Sequence, residues 1–141
     1  MLRRSVLVAT AFLVACGGVS KADMAAMKQR ADRAVRSEMA AAYGGVTTDF
    51  TVPLKARFPI AYLVELHDAM IGDYGAVQRI EPSVVPIRDK REASVVIDFP
   101  GDHQVTALVS FDGHDLIKKL FFARSTRPNL RAVSACPLQK R

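Results

Sequence analysis

The segment ASVVIDFPGDHQVTALVSFDGHDLIKKLFF, residues 93–122, decides the fold of this 141-residue chain. It contains three runs in which apolar residues recur with a period of two, which is typical of β-strands with one buried face. The runs are separated by PGDHQ and by Asp112-Gly113, and the second of these is a strong signal for a tight hairpin. The segment therefore predicts three consecutive antiparallel strands joined by short turns.

Parity assigns each residue of these strands to one of two faces. Pairing Phe99 with Val105, and placing a two-residue turn at Asp112-Gly113, gives an inner face that is almost entirely apolar and that helices are expected to cover. Its members are Ala93, Val95, Ile97, Phe99, Val105, Ala107, Val109, Phe111, Leu116, Lys118, Leu120 and Phe122. The outer face then contains Ser94, Val96, Asp98, Thr106, Leu108, Ser110, Ile117, Lys119 and Phe121.

Two helices are predicted upstream of the strands. The first spans residues 23–43, and its thin stripe of Ala and Met predicts a position across another element rather than at the centre of the core. An irregular link with one short turn at residues 53–55 follows. The second helix begins at Pro59, a residue suited to the first helical position, and ends within residues 72–75. Its apolar stripe consists of Ile60, Leu63, Val64, His67, Met70 and Ile71.

Residues 77–87 complete the pattern as a broken strand. Pro82 and Pro86 cannot donate to a strand ladder, so they confine this strand to a sheet edge or a bend. Helices followed by a run of antiparallel strands define the α+β class. The sequence therefore predicts N-terminal helices packed on one face of a curved, four-stranded antiparallel meander.

The first 22 residues predict export. MLRRS supplies two Arg residues ahead of the apolar run VLVATAFLVA, which is too short to span a bilayer as a helix. Two cleavage sites compete. LVAC, residues 13–16, resembles the lipobox of bacterial lipoproteins, whose Cys becomes the lipidated first residue of the mature chain, whereas SKA, residues 20–22, suits ordinary cleavage before Asp23. We favour lipidation at Cys16, because the two glycines that follow it give a flexible continuation.

Charge is distributed unevenly along the chain. The formal net charge is +6, and no acidic residue occurs from Leu116 onward. A basic tail can bind nucleic acid or an anionic membrane surface. Nucleic acid does not suit an exported protein, and no aromatic residues are interleaved with these charges for base stacking. The leader pattern and the uneven charge together divide the chain into a leader at residues 1–22, one domain at residues 23–123 and a basic flexible tail at residues 124–141.

Three stretches resemble a bacterial family of domains of unknown function. They are Phe50 with Pro53-Leu54-Lys55, the helix AYLVELHDAMIGDYGAVQRI at residues 61–80, and FDGHDLIKKLFF at residues 111–122. The family is related to the nuclear-transport-factor-two-like, or cystatin-like, folds. It occurs as small exported proteins and as a module ahead of serine hydrolase domains. The resemblance implies a sheet curved into a cone with helices across its mouth, and it transfers no catalytic residue.

His67 is the candidate for chemistry inside such a cone. On the apolar stripe of its helix it is either a general base or ligand-binding group, or a packed core residue. Asp68 is not expected to orient it, because adjacent helical positions do not face each other. Lys118 is either a pocket cation for an acidic ligand or a Lys with a buried stem and a solvated amine. The residues predicted to line the interior are His67, Met70, Phe99, Phe111 and Lys118.

The sequence predicts no metal site and no cofactor. His103 and His114 fall in consecutive turns at opposite ends of one strand, on the order of 20 Å apart at about 3.3 Å per residue, so they cannot share a metal. The chain has no Cys/His cluster, no glycine-rich phosphate loop and no Ser in a nucleophile elbow. Cys16 is lipidated or removed with the leader, which leaves Cys136 without a partner within the chain.

The outer face supplies the candidate interface. Val96, Leu108 and Ile117 are predicted to form one apolar cross-strand row, with Phe121 further along the last strand, on a face that should be polar if it is solvated. A second copy of the sheet or the chain's own tail can cover this patch. We favour the homodimer, because the tail lacks a periodic apolar pattern.

These observations predict an exported, lipid-anchored, non-catalytic protein of the cell envelope, facing the periplasm, that binds a small apolar ligand or a protein partner. The alternative is a small enzyme that uses the cone interior as its active site, with His67 as general base. A purely structural interaction protein is the third interpretation. An open cavity beside His67, with a second polar group converging on it, favours the enzyme, whereas a filled interior favours interaction.

Overall fold

The computed structural model of the chain describes residues 19–84 and 91–125. Their helices are α1 (Lys21–Met39), α2 (Tyr43–Val46), α3 (Val52–Arg57) and α4 (Ile60–Tyr74). Their strands are β1 (Arg79–Val84), β2 (Glu92–Asp98), β3 (Gln104–Phe111) and β4 (Ile117–Ser125). Cys16, Pro86 and Cys136 lie outside the described residues, as does most of the predicted leader and tail. Within the described ranges, no helix is long and apolar enough to cross a bilayer.

The strands form one open antiparallel sheet in the order β1-β2-β3-β4, so the predicted α+β meander is confirmed. β1, which contains Pro82, is an edge strand, as predicted. Val105 pairs with Ile97 rather than with Phe99. Phe99 instead donates its N–H to the carbonyl of His103 at 2.8 Å and closes the turn. The observed register differs from the predicted one by two residues, an even number, so every β2 and β3 side chain stays on its predicted face.

α1 lies across the inner face of the sheet, mainly against β1 and β2, and also contacts β3. Its residues Met27, Ala31 and Val35 are buried in one core with the inward-facing residues of β2 and β3. The helix lies across another element, as predicted, but the prediction that it lies away from the core centre is wrong. Small Ala side chains let the helix backbone approach the sheet closely, and close packing of this kind is what protein interiors require.

The N-terminus of α1 reaches into the segment predicted as leader. Ser20 is the N-cap, and its hydroxyl accepts a hydrogen bond from the N–H of Asp23 at 3.1 Å. Val19 packs against the core. At the other end the helix stops at Met39 rather than continuing to residue 43, and Ala41 adopts a φ of 56°, which turns the chain into α2.

The link between α2 and α4 is more ordered than the sequence predicts. Residues 52–57 form α3, which buries Leu54 and exposes most of its other side chains. Pro59 is the N-cap of α4 rather than its first residue. Gly75 ends α4 with a φ of 89°, a conformation that glycine adopts without steric cost.

The connection between β3 and β4 is longer than the predicted two-residue turn. The N–H of Asp112 donates to the carbonyl of Leu116 at 2.8 Å, and its carboxylate accepts the N–H groups of His114 at 2.8 Å and Leu116 at 3.0 Å. The register then shifts beside Phe111, which pairs with Ile117. Because Ser110 pairs with Lys119, the intervening Lys118 is the extra residue of a β-bulge.

This bulge overturns two predictions. Ile117, predicted on the outer face, is completely buried in the core, and Lys118, predicted on the inner face, is exposed. Beyond the bulge the predicted parity is confirmed, since Leu120 and Phe122 pack against the core and Phe121 is exposed.

Arginine side chains fasten the β3–β4 loop to α1. Arg30 donates to the carbonyl of His114 at 3.3 Å and to the carbonyl of Asp115. Arg91 pairs with the carboxylate of Asp115 and lies 3.9 Å from that of Asp23. The position of the loop therefore depends on contacts between residues that are distant in sequence.

Candidate functional site

His67 lies in the junction between α2 and α4. Its side chain is 18% exposed, and its ring meets the ring of Tyr43 edge-on, with centroids 6.1 Å apart. The Nδ1 atom is 3.3 Å from Oδ1 of Asp68, although adjacent helical positions do not normally face each other. Since Asp68 is largely exposed, this contact is weak in water and does little to fix the ring.

Glu38 is a buried carboxyl that the sequence predictions missed. It lies on the inward side of α1, is completely buried, and neither carboxylate oxygen has a hydrogen-bond partner among the described residues. Burial raises the pKa of Glu38 to about 7, because removing the carboxylate from water disfavours its charged form. A signal was available: Glu38 follows Ala31, Ala34 and Val35 at helical spacing.

Tyr43 lies beside His67 and is influenced by the charges of two carboxyl groups. The pKa of the Tyr43 hydroxyl is raised by burial, then by the negative charge of Asp68, and then by that of Glu38. Tyr43 is therefore a second polar side chain beside His67, which is one of the two features that favour the enzyme interpretation; the other is an open cavity. Three cavities are lined by described residues, and His67 lines none of these three.

The other residues predicted to line the interior do not form a pocket together. Met70, Phe99 and Phe111 are buried members of the common core, where they pack against the helices and the sheet. Lys118 is exposed on the bulge beside the β3–β4 loop. The structure therefore does not bring Lys118 together with the apolar residues of the predicted pocket.

A groove of about 580 Å³ lies between α3 and the β3–β4 loop. Its apolar lining comes from Val52, Pro53, Leu54 and Leu116, and its charged lining comes from Arg57, Lys118 and Asp112. A second cavity of about 280 Å³ lies on the other side of Asp112 and Lys118 and also includes Arg91 and Lys119. Both grooves are products of the bulged loop, which is why the sequence did not predict them.

The outer face of the sheet carries an exposed apolar pair. Leu108 on β3 lies directly opposite Phe121 on β4, and the two residues are 48% and 63% exposed. Val96 is half-buried in the neighbouring row, opposite Thr106. The predicted row of Val96, Leu108 and Ile117 is therefore wrong: Ile117 is in the core, and Phe121 lies beside Leu108 in its place.

Charged residues of both signs surround this apolar pair. Glu92 and Lys119 both pair with Ser110, in the row next to it. At the β1 edge of the sheet, Arg79 lies 2.8 Å from Glu81 and 3.3 Å from Asp98. An apolar centre with a charged rim is the usual composition of a protein interface.

Comparisons of the chain with protein-family models, with curated proteins and with solved structures find no significant match. The relation to the nuclear-transport-factor-two-like folds therefore stays a prediction. Within residues 19–84 and 91–125, no group of three or more His, Cys, Asp or Glu side chains is placed to hold a metal ion.

Proposed function

We propose that this protein is an exported, lipid-anchored, non-catalytic module of the cell envelope that acts by protein–protein interaction through the outer face of its sheet. The observation that carries the proposal is the direct pairing of exposed Leu108 with exposed Phe121. Helices pack on the inner face, whereas the described residues place no helix over this pair. Exposed aromatic and aliphatic side chains inside a charged rim are the kind of patch that partners cover.

The partner that fits this face best is a second copy of the chain. A two-fold interface requires a surface that is complementary to itself. The outer face meets this requirement, since its apolar centre can stack on the same centre of a partner while Glu92 of one copy meets Lys119 of the other. Electrostatic matching of this type fixes the register of an interface.

The start of α1 supports processing at Cys16 rather than before Asp23. Cleavage before Asp23 would remove Ser20, whose hydroxyl caps the helix, and Val19, which packs on the core. Processing at Cys16 retains both residues. The acylated Cys would then precede the folded domain by only a few residues, and two or more acyl chains would hold the domain stably at the membrane.

Sedimentation of the Leu108→Asp variant tests the proposed interface. An unpaired charge in the centre of the patch should give a folded monomer, whereas wild-type protein should sediment as a dimer. Val52→Asp is the matched control, because it adds the same charge to an exposed apolar position outside the sheet and should leave the dimer intact. Wild-type protein that remains a monomer at high concentration would refute the dimer.

Cell fractionation tests the anchor. The Cys16→Ser variant should move from the membrane to the soluble envelope fraction or remain unprocessed. Mass spectrometry of the mature wild-type protein should show acylated Cys16 as its first residue. A mature N-terminus at Asp23 without lipid would contradict the anchor.

The alternative function is a small enzyme with His67 as general base, and the Tyr43 side chain beside His67 favours it. The burial of Phe99 and Phe111 favours the interaction module instead, because a substrate or apolar ligand in the core would have to displace them. Assays with activated esters and enolisable ketones test the enzyme. Turnover that disappears in His67→Gln, without a change in melting temperature, would support it.

A further inference from the structure

The exposed large apolar side chains of the described residues concentrate on one short segment. Val52, Ile60 and Tyr62 all lie within residues 52–62, which comprise α3 and the first turn of α4. Val52 is 84% exposed, the highest value among them. The other exposed large apolar residues, Leu108 and Phe121, belong to the outer sheet face already described.

The same segment is basic. Lys55 and Arg57 are exposed on α3, and no Asp or Glu occurs from Phe50 to Val64. The preceding acid, Asp49, lies 3.3 Å from Arg33 and 3.8 Å from Arg30, so its charge is compensated. Exposed apolar side chains interleaved with cations are the composition of surfaces that bind anionic bilayers.

The segment is held rigidly although its outer side chains are exposed. The rings of Phe50 and Phe58, and those of Phe58 and Tyr62, pack edge-to-face with centroids 5.4 Å apart in each pair. Leu54 is buried in the core. Because the inward side chains are fixed, the exposed ones can insert into an interface without ordering a flexible loop, which would cost conformational entropy.

The groove beside α3 adds a place for an anionic headgroup. Arg57 and Lys118 both line it, next to the apolar Val52. Its acid, Asp112, already accepts the N–H groups of His114 and Leu116, which stabilise the negative charge within the loop. The cations of the groove can therefore bind a phosphate while the apolar lining meets the start of the acyl chains.

We propose that residues 52–62 form a membrane-contact surface that binds anionic phospholipid, with the headgroup between Arg57 and Lys118. The proposal rests on the envelope location in the proposed function and adds how the domain is oriented on the bilayer. Lipid at the cysteine would hold the chain at the membrane, and contact through α3 would leave the outer sheet face available to a partner.

Vesicle sedimentation of the full chain carrying Cys16→Ser, which cannot be acylated, tests this surface. It should bind vesicles containing phosphatidylglycerol more tightly than vesicles of phosphatidylcholine alone. Arg57→Gln with Lys118→Gln should weaken binding to the anionic vesicles by roughly 25-fold, since each cation contributes roughly fivefold. Val52→Asp with Ile60→Asp should also weaken it, whereas the charge-matched control Ala25→Asp with Ala76→Asp should change it less. All variants carry the same leader, so differences in vesicle binding between them arise from the domain.

A fluorescent label provides a second measurement that does not depend on affinity. In a Cys16→Ser, Cys136→Ser background, nitrobenzoxadiazole on Val52→Cys should shift to the blue with anionic vesicles, and the same label on Leu108→Cys should not. Equal binding by the Val52/Ile60 and Ala25/Ala76 variants, or equal shifts at the two labelled positions, would overturn the proposal. The sedimentation test of the outer face contains no lipid, so its outcome is independent of this one.

Discussion

Ile117 forms a parallel bridge with Phe50. The N–H of Ile117 donates to the carbonyl of Asp49 at 2.8 Å, and the N–H of Thr51 donates to the carbonyl of Ile117 at 2.9 Å. This bridge ties the start of β4 to the residue that precedes α3. It therefore turns the Ile117 side chain into the core and positions α3, which carries the proposed membrane-contact surface, relative to the sheet.

Replacement of Ile117 tests the bulge directly. Ile117→Ala removes completely buried methyl groups and should lower the free energy of unfolding by about 2–5 kcal/mol, measured by urea denaturation. The neighbouring Lys118→Ala should change it by no more than about 0.5 kcal/mol, because Lys118 is exposed. A two-residue turn would reverse the order of these two effects.

The contrast between these neighbours shows what sequence patterns can predict. The faces of β2 and β3 can be predicted because side chains alternate between the two faces with a strict period of two, so the residue type at each position indicates which face is buried. The bulge does not follow from the period-two pattern of the strands. It depends on the bridge between Ile117 and Phe50 and on Arg30, which holds the loop from α1, and both contacts join residues far apart in the chain.

In the candidate site, too, local patterns were predicted correctly and contacts between distant residues were not. The apolar stripe of α4 placed His67 on the correct helix face, but its partner Tyr43 comes from α2, a short helix that the sequence did not predict. The groove beside α3 requires both the unpredicted helix and the bulged loop. The burial of Glu38 could have been predicted from its spacing alone, since Glu38 occupies a core position of the stripe on α1.

Glu38 should make stability depend on pH. Its pKa is raised from 4.5 to about 7 in the folded protein, so the folded state binds more protons than the unfolded state between these values. The free energy of unfolding should therefore fall as the pH rises through this range, by roughly 2–3 kcal/mol between pH 5 and pH 8.

The Glu38→Gln variant isolates this contribution, because a Gln side chain stays neutral. Urea denaturation should show the variant gaining stability relative to wild type as the pH rises from 5 to 8. Asp32→Asn, on an exposed ion pair with Arg36 in the same helix, is the control and should show no such gain. Parallel curves for wild type and Glu38→Gln would show that Glu38 is ionised in the folded protein throughout.

His67 should act in stability through its contact with Tyr43. In a double-mutant cycle of His67→Gln and Tyr43→Leu, the edge-to-face contact should give a coupling energy of about 0.5–1.5 kcal/mol by urea denaturation. The same cycle with the exposed His114→Gln in place of His67→Gln should give none. Absence of coupling at His67 would remove the packing role and leave the catalytic alternative stronger.

Ser20 connects the stability of the domain with the proposed processing of the chain. Its hydroxyl caps α1 through the N–H of Asp23, so Ser20→Ala should lower the free energy of unfolding of the full chain by about 1 kcal/mol. The exposed neighbour Lys21→Ala serves as control and should have a smaller effect. The decisive comparison uses mature protein purified from the cell envelope. If processing occurs at Cys16, the mature Ser20→Ala protein keeps the destabilisation, because residue 20 is retained. If processing occurs before Asp23, mature wild type and mature Ser20→Ala are the same molecule and must unfold at the same urea concentration.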